Sequence, residues 1–270
     1  MPELPEVETI KRDLQKTIIG LNICGVKVFD SRVLKGINQT SFIRKLAKQK
    51  ISDIQRRAKA VIIVFDSGLF LSVQPKMTGV LTYGDQPILK ETKVIFHLSN
   101  DKILTYNDQR IFGRLILTDD LSKIPYFNTL GPEPLTKFFN VGWVESQIKR
   151  RTISIKQLLL NQSFVAGIGN IYASEILFLA KISPLRRPAA LKKKDIEALI
   201  YSTVKVLNEA VRFRGTSMRN YRDASGQKGK FMNRIKVYNR TNEDCVNCRT
   251  PITRIVQGAR STFYCRKCQK

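Results

Sequence analysis

The sequence predicts an α+β protein: a β-rich first half, a helical second half and a short cysteine-bearing hairpin at the end. Three observations carry this reading. From about 21 to 118, short runs rich in Val, Ile and Phe (ICGVKVF, AVIIVF, LFLSV, KVIFHL, LILT) are broken by Gly, Asp, Asn and Ser. Such spacing suggests a sandwich or a barrel. Beyond the breaker segment LGPEPL at 130–135, apolar residues recur at helical spacing over 142–150, 153–161, 170–181 and 194–213. From 234 onward the tail alternates around two cysteine pairs.

The chain opens MPELPEVETI, and residues 5–19 read as a helix with Val7, Ile10, Leu14 and Ile18 on one buried face. The acidic opening has two readings. Pro5 suits a first helical turn, and Glu6 and Glu8 suit the positive end of a helix. Alternatively, removal of Met1 leaves Pro2 with a free secondary amine. An α-amine titrates near pH ~7.7–8.0, and its neutral form can attack a carbonyl-like carbon to give a Schiff base. Both readings stand on this stretch alone.

The 270 residues suffice for two domains with separate cores, and 43% hydrophobic residues indicate a folded globular chain. No apolar run reaches the ~20 residues that span a bilayer, and no basic-headed signal peptide is seen. A soluble, cytoplasmic protein without membrane association is expected. Lys and Arg number 47 against 22 acids, a formal charge of +25. Residues 211–270 hold fifteen of those bases against Asp223, Glu243 and Asp244. A basic surface of this strength binds polyanions, nucleic acid first among them. A membrane-surface protein would also carry a basic amphipathic helix or a lipidation signal, and neither is present.

Four of the five cysteines form two pairs, Cys245–Cys248 and Cys265–Cys268, with sixteen residues between them. Two-residue spacings let each pair reach one tetrahedral ion, and the gap fits a four-cysteine zinc ribbon. Paired disulfides would need an oxidising compartment, so one structural zinc is expected. Cys24, in an apolar run, is expected to be a buried small hydrophobe.

Other motifs gain meaning together. Val165-Ala166-Gly167-Ile168-Gly169-Asn170 joins two helices by a glycine turn whose main chain could approach a phosphate, with Asn170 opening the next helix. A plain helix hairpin would look the same. Lys59, in Arg56-Arg57-Ala58-Lys59 before a strand, reads as a solvated basic edge or as a group aimed at a phosphate or sugar. Met77 in KMTG, with Arg110 and Phe112 in DQRIFG, could be ordinary packing or could fill the gap left by an extruded base. The stretch 214–231, polar and basic, reads as a long surface loop that is mobile until it closes over such a base.

In sum, PELPEVET, RRAK, KMTG, DQRIFG, LGPEPL, NQSFVAGIGNIYASEILF and the CxxC…GARSTFYCRKCQ tail resemble the formamidopyrimidine-DNA glycosylase family, in that family's order and from residue 2 to 269. The resemblance implies an N-terminal β-sandwich domain flanked by helices at 1–130, a helical domain with a helix–two-turn–helix at 131–233 and a zinc finger at 234–270. It implies a bifunctional glycosylase and abasic-site lyase in base excision repair. Its partner would be double-stranded DNA carrying oxidised purines or abasic sites, engaged by a monomer. Pro2 would be the nucleophile, Glu3 the general acid/base and Lys59 a helper. Asn170 and Arg260 would hold phosphates, Arg260 also assisting elimination. Met77, Arg110 and Phe112 would fill the helix, and Cys245, Cys248, Cys265 and Cys268 would hold zinc.

There are departures. Ser72-Val73-Gln74-Pro75-Lys76-Met77 lacks the His that many members place before the Met, and His97, the only His, lies off a second expected position. The frequent VYGR reads Val237-Tyr238-Asn239-Arg240 here. These bear on lesion preference and phosphate grip rather than on the covalent step, which needs no His. Leu4 argues against the pyrimidine-lesion relatives resembling endonuclease VIII, whose terminus usually reads PEGPE. Intact Pro2, Glu3 and Lys59 argue against a non-catalytic DNA-binding protein.

Overall fold

The computed structural model describes residues 1–87, 90–149, 151–218 and 221–270. Two compact units emerge: Met1–Asn128 with Val211–Met232, and Thr129–Ala210 with Asn233–Lys270. In the first, helix α1 (Leu4–Thr17) starts at Glu3, whose main-chain N–H donates to Glu6 Oε2 at 2.7 Å in a capping box. Strand β1 (Ile23–Val28) follows, then α2 (Gln39–Leu46), capped by Asn38 Oδ1 accepting from Ser41 N–H. Then come β2 (Ile51–Arg57), β3 (Ala60–Phe65), β4 (Phe70–Gln74), β5 (Gly79–Gly84), β6 (Thr92–Leu98), β7 (Ile103–Asp108), β8 (Arg114–Thr118) and the short α3 (Pro125–Asn128).

Among the described residues the strands make two antiparallel four-stranded sheets, ordered β1-β6-β7-β5 and β2-β3-β4-β8. One core lies between them. Phe96, Leu104 and Tyr106 from the first sheet join Ile54, Ile63 and Leu71 from the second, with Val7, Ile10 and Leu14 of α1 and Phe42 of α2. This is the expected sandwich with its flanking helices, stabilised by burial of apolar area on both inner faces.

Two expectations fail here. Cys24 is exposed, because on β1 Ile23 takes the inward position and its neighbour must face out. The stretch 214–231 is no free surface loop. Thr216, Tyr221, Asp223, Ala224 and Phe231 are buried, while Arg219 and Asn220 lie outside the described residues. Asp223 accepts from Arg214 Nε at 2.9 Å and Nη2 at 2.7 Å, and from the Ser225 and Gln227 N–H groups. Arg214 also donates to Asp13 on α1 at 2.6 Å, and Tyr83 N–H on edge strand β5 donates to Ala224 O. Polar residues are buried here because they satisfy one another, which composition does not reveal.

In the second unit, α4 (Val141–Ile148) is capped by Asn140, and α5 (Ile155–Leu160) by a Ser154–Gln157 capping box. Arg150, the last residue of the expected 142–150 helix, lies outside the described residues. Next come α6 (Asn170–Leu179) and α7 (Lys193–Arg212), then β9 (Thr253–Gln257) and β10 (Arg260–Tyr264), which pair as an antiparallel hairpin. Among the described residues no helix is long and apolar enough to cross a membrane.

Candidate functional site

In the first unit Pro2 and Glu3 are both buried at the start of α1, ahead of the first helical turn. Glu3 and Glu6 occupy the end of the helix where unpaired N–H groups favour negative charge. Lys59 sits on the two-residue turn between β2 and β3, next to Ala58, whose φ of 50° is left-handed. This turn is tethered to α1. Arg56 donates from Nε to Glu8 Oε2 at 2.9 Å and from Nη1 to Ala58 O at 2.9 Å. Burial opposes ionisation of Glu8, but hydrogen bonds from Arg12 and Arg56 outweigh it and lower its pKa. A single carboxylate thus joins the helix that follows Pro2 to the turn that carries Lys59.

Met77, Arg110 and Phe112 come together although 32 or more residues separate Met77 from the other two in sequence. Arg110 Nη1 lies 3.4 Å from Met77 Sδ, and its guanidinium lies 4.5 Å from the Phe112 ring centroid. Met77 is 44% and Phe112 50% exposed, unusual for such side chains in a folded core. Their loops are locked from beneath by Asp108, which is fully buried. Its carboxylate accepts from Gly113 N–H at 2.7 Å, Tyr106 OH at 3.2 Å and Thr78 Oγ1, while Thr78 Oγ1 accepts from Arg110 N–H. Gly113 is required here, since a Cβ would sit 1.7 Å from the Tyr106 hydroxyl. Asp108 was not legible as a site residue, for it ends an unremarkable polar strand.

In the second unit the AGIGN turn is knitted by Gln162, which accepts from Gly167 N–H and donates to Leu160 O and Ile168 O. Gly167 takes φ 85°, which favours glycine. LGPEPL packs back on it: Gly131 N–H bonds Gln162 O, and Ala166 N–H bonds Pro132 O. Asn170 opens α6, and its Nδ2 donates to Ser261 O at 3.0 Å. Ser261 follows Arg260, which stands at the mouth of the β9–β10 hairpin. Gly258 and Ala259 both have positive φ there, as a tight primed turn demands. Asn170 is therefore tied to the main chain of the residue after Arg260.

Two residues beyond the sequence reading brace this unit from within. Lys156, fully buried on α5, donates from Nζ to Ser261 O at 2.8 Å and Thr262 Oγ1 at 2.7 Å. The available signal was a lysine among Ile155, Leu158 and Leu159 on an apolar face. Glu175 on α6 accepts the Lys236, Val237 and Tyr238 N–H groups at 2.8, 2.9 and 2.8 Å. Burial raises its pKa, and these three donors pull it back.

Cys245, Cys248, Cys265 and Cys268 place their four Sγ atoms within 4.8 Å of one another. The Cys245–Cys268 and Cys248–Cys265 separations are 3.9 and 3.4 Å. Four thiolates on a tetrahedral zinc at ~2.3 Å stand about 3.8 Å apart, so the set fits one ion. Gln269 supports it, accepting from Cys265 N–H and donating to Ile182 O.

The chain is similar to known proteins over its whole length. The formamidopyrimidine-DNA glycosylase N-terminal domain matches residues 1–115, the H2TH domain of the same enzyme 130–222, and the zinc finger found in FPG and IleRS 242–270. Formamidopyrimidine-DNA glycosylases of Desulforamulus reducens and Pelotomaculum thermopropionicum are each 40% identical, over 100% of this chain and 99% of theirs. A Lactococcus lactis FPG mutant solved with Fapy-dG-containing DNA superimposes with TM-score 0.92 at 33% identity, over 100% of both chains. The FPG protein of Thermus thermophilus gives 0.89 at 33% identity, over 99% of this chain and 98% of that one. With its three domain matches covering most of its length, the chain belongs to the formamidopyrimidine-DNA glycosylase family.

Proposed function

We propose that the protein excises oxidised purines, such as 8-oxoguanine and formamidopyrimidines, from double-stranded DNA and then cleaves the abasic strand, acting as a monomer. The observation that carries this reading is the exposed Met77–Arg110–Phe112 cluster braced by Asp108. An apolar and cationic wedge held out at this cost suits a vacated base position. Relatives solved with Fapy-dG-containing and abasic-site DNA support the substrate class.

The chemistry follows from the residues. With Met1 removed, the Pro2 nitrogen bonds to the sugar C1′ as the glycosidic bond breaks, its electron pair leaving with the base. Sugar ring opening gives an iminium, whose charge acidifies the C2′ proton. Loss of that proton expels the 3′ phosphate, and a second elimination expels the 5′ phosphate. Glu3, beside the amine, relays protons. Lys59 assists from the β2–β3 turn. Asn170 and Arg260 hold flanking phosphates, and Arg260 assists elimination.

The test is borohydride trapping on duplex with a single 8-oxoguanine, followed by peptide mapping. The sugar remnant should map to Pro2 in protein lacking Met1. Glu3→Gln should lose base excision far more than strand cleavage at a preformed abasic site. A remnant on Lys59, or full activity with Met1 retained, would overturn the assignment. Binding without any trapped complex would favour a non-catalytic DNA-binding protein.

A further inference from the structure

Glu6 joins two places that are far apart in the chain. Its side chain is almost wholly buried. One carboxylate oxygen, Oε2, accepts the Glu3 N–H at 2.7 Å, one residue from Pro2. The other, Oε1, accepts the Thr216 N–H at 2.7 Å. Gly215 lies flat against this carboxylate at φ 77°, and a Cβ there would stand 2.6 Å from Oε1. The Tyr221 hydroxyl donates to Glu6 O at 3.3 Å. Thr216 roots a braced stalk: it bridges to Lys230, Lys230 N–H bonds Phe213 O, Phe231 N–H bonds Gly215 O, and Gly229 N–H bonds Ser217 Oγ.

We infer that Glu6 is a positioning residue that sets the Pro2 terminus and the stalk rooted at Thr216 as one mechanical piece. This inference rests on the proposed role of Pro2. Only a carboxylate can accept from two N–H groups at once here. A glutamine keeps one acceptor but turns an NH2 towards the other donor, leaving a buried N–H unmet. Any change at Pro2 on forming the covalent bond is thereby transmitted to Thr216 through two short, charge-assisted hydrogen bonds on one rigid group. A residue that only capped α1 would have no such effect on Thr216.

The test compares the full-length parent, Glu6→Gln and Gly215→Ala, each with borohydride on duplex carrying a preformed abasic site. Trapping rate is read with hydrogen–deuterium exchange of peptides covering 213–218, before and after trapping. In the parent, trapping should slow exchange of this segment several-fold. In Glu6→Gln, trapping should slow about tenfold or more, and the segment should exchange faster and no longer respond to trapping. Gly215→Ala keeps the Glu3 contact and pushes the carboxylate from Thr216. It should lose the exchange response while trapping at closer to the parental rate, a result that stands even if Glu6→Gln fails to fold. Parental trapping by Glu6→Gln, or a parental exchange response in Gly215→Ala, would overturn the inference while leaving the role of Pro2 intact. No trapped complex with the parent would overturn both.

Discussion

Arg110 Nη1 and Met77 Sδ meet at 3.4 Å across two loops that share a single buried anchor, Asp108. The Met77–Arg110–Phe112 cluster is thus positioned from below, by hydrogen bonds to Asp108 and Thr78, while Met77 and Phe112 stay exposed. Asp108→Asn keeps the size but replaces one acceptor with a donor facing Gly113 N–H or Thr78 Oγ1. The cost should be about 1–3 kcal/mol, lowering Tm by about 2–10 °C. Retention on lesion duplex should fall several-fold in a filter-binding assay. Unchanged retention with lowered Tm would show that the wedge needs no bracing.

Lys156 and Arg260 should separate cleanly by salt dependence. Arg260 is exposed, and Arg260→Ala should reduce the slope of log K against log salt by about 0.9, one phosphate's worth of released counterions. Lys156 is fully buried against Ser261 and Thr262, so Lys156→Met should weaken DNA binding with the slope unchanged. A lowered slope for Lys156→Met would mean that this amine reaches phosphate.

Zinc should be present at one ion per chain by elemental analysis, because the four sulfurs are spaced for one tetrahedral ion. Chelation, or Cys265→Ser, should unfold the β9–β10 hairpin that presents Arg260 and lower DNA affinity. Near-ultraviolet signals from the aromatic core of the first unit should persist. Full affinity in zinc-free protein would contradict this.

Glu8 should contribute acid-sensitive stability. Its folded pKa is lowered, so its contribution is fully present above the unfolded value, about 4.5, and is lost as pH falls through the folded value. Melting curves of parent and Glu8→Gln between pH 3 and 7 should differ by about 1–3 kcal/mol at the upper end, because the largely buried Arg56 loses the carboxylate of its ion pair. The difference should shrink towards pH 3. A constant gap across that range would mean that the loss is one of shape rather than charge.

Apolar runs and caps made much of the fold legible. AVIIVF became β3, and the α5 and α6 periodicities fell where expected. Among what escaped is a strand buried on both faces, one of them polar. On β7, ILTYND is buried throughout, because Thr105 shares a 2.6 Å hydrogen bond with Thr82 and receives another from Asn107. Leu104 and Tyr106 face the core on this strand, and the hydrogen-bond network fills its opposite face, where polar residues read as solvent-facing. The short α2 escaped too, being two turns of mixed residues fixed by Asn38. The same blindness hid the site's supports. Met77, Arg110 and Phe112 could be nominated from motifs, but Asp108, Glu6 and Lys156 matter through partners 5 to 210 residues away.

The grouping of Val211–Met232 with Met1–Asn128 has a consequence for how the protein is made. Glu6 and Thr216 bond across 210 residues, Arg214 and Asp13 across 201. On the ribosome the first sandwich emerges long before the segment that completes it. All of Thr129–Ala210 must be synthesised in between. Until then Asp13 and the Glu6 carboxylate lack their late-arriving partners, and edge strand β5 lacks Ala224 along its open side, where strands readily find wrong partners. The nascent chain therefore passes through a stage in which the Pro2 end exists but its far anchor does not, and the closing step is one of long loop search, slow by topology rather than by stability.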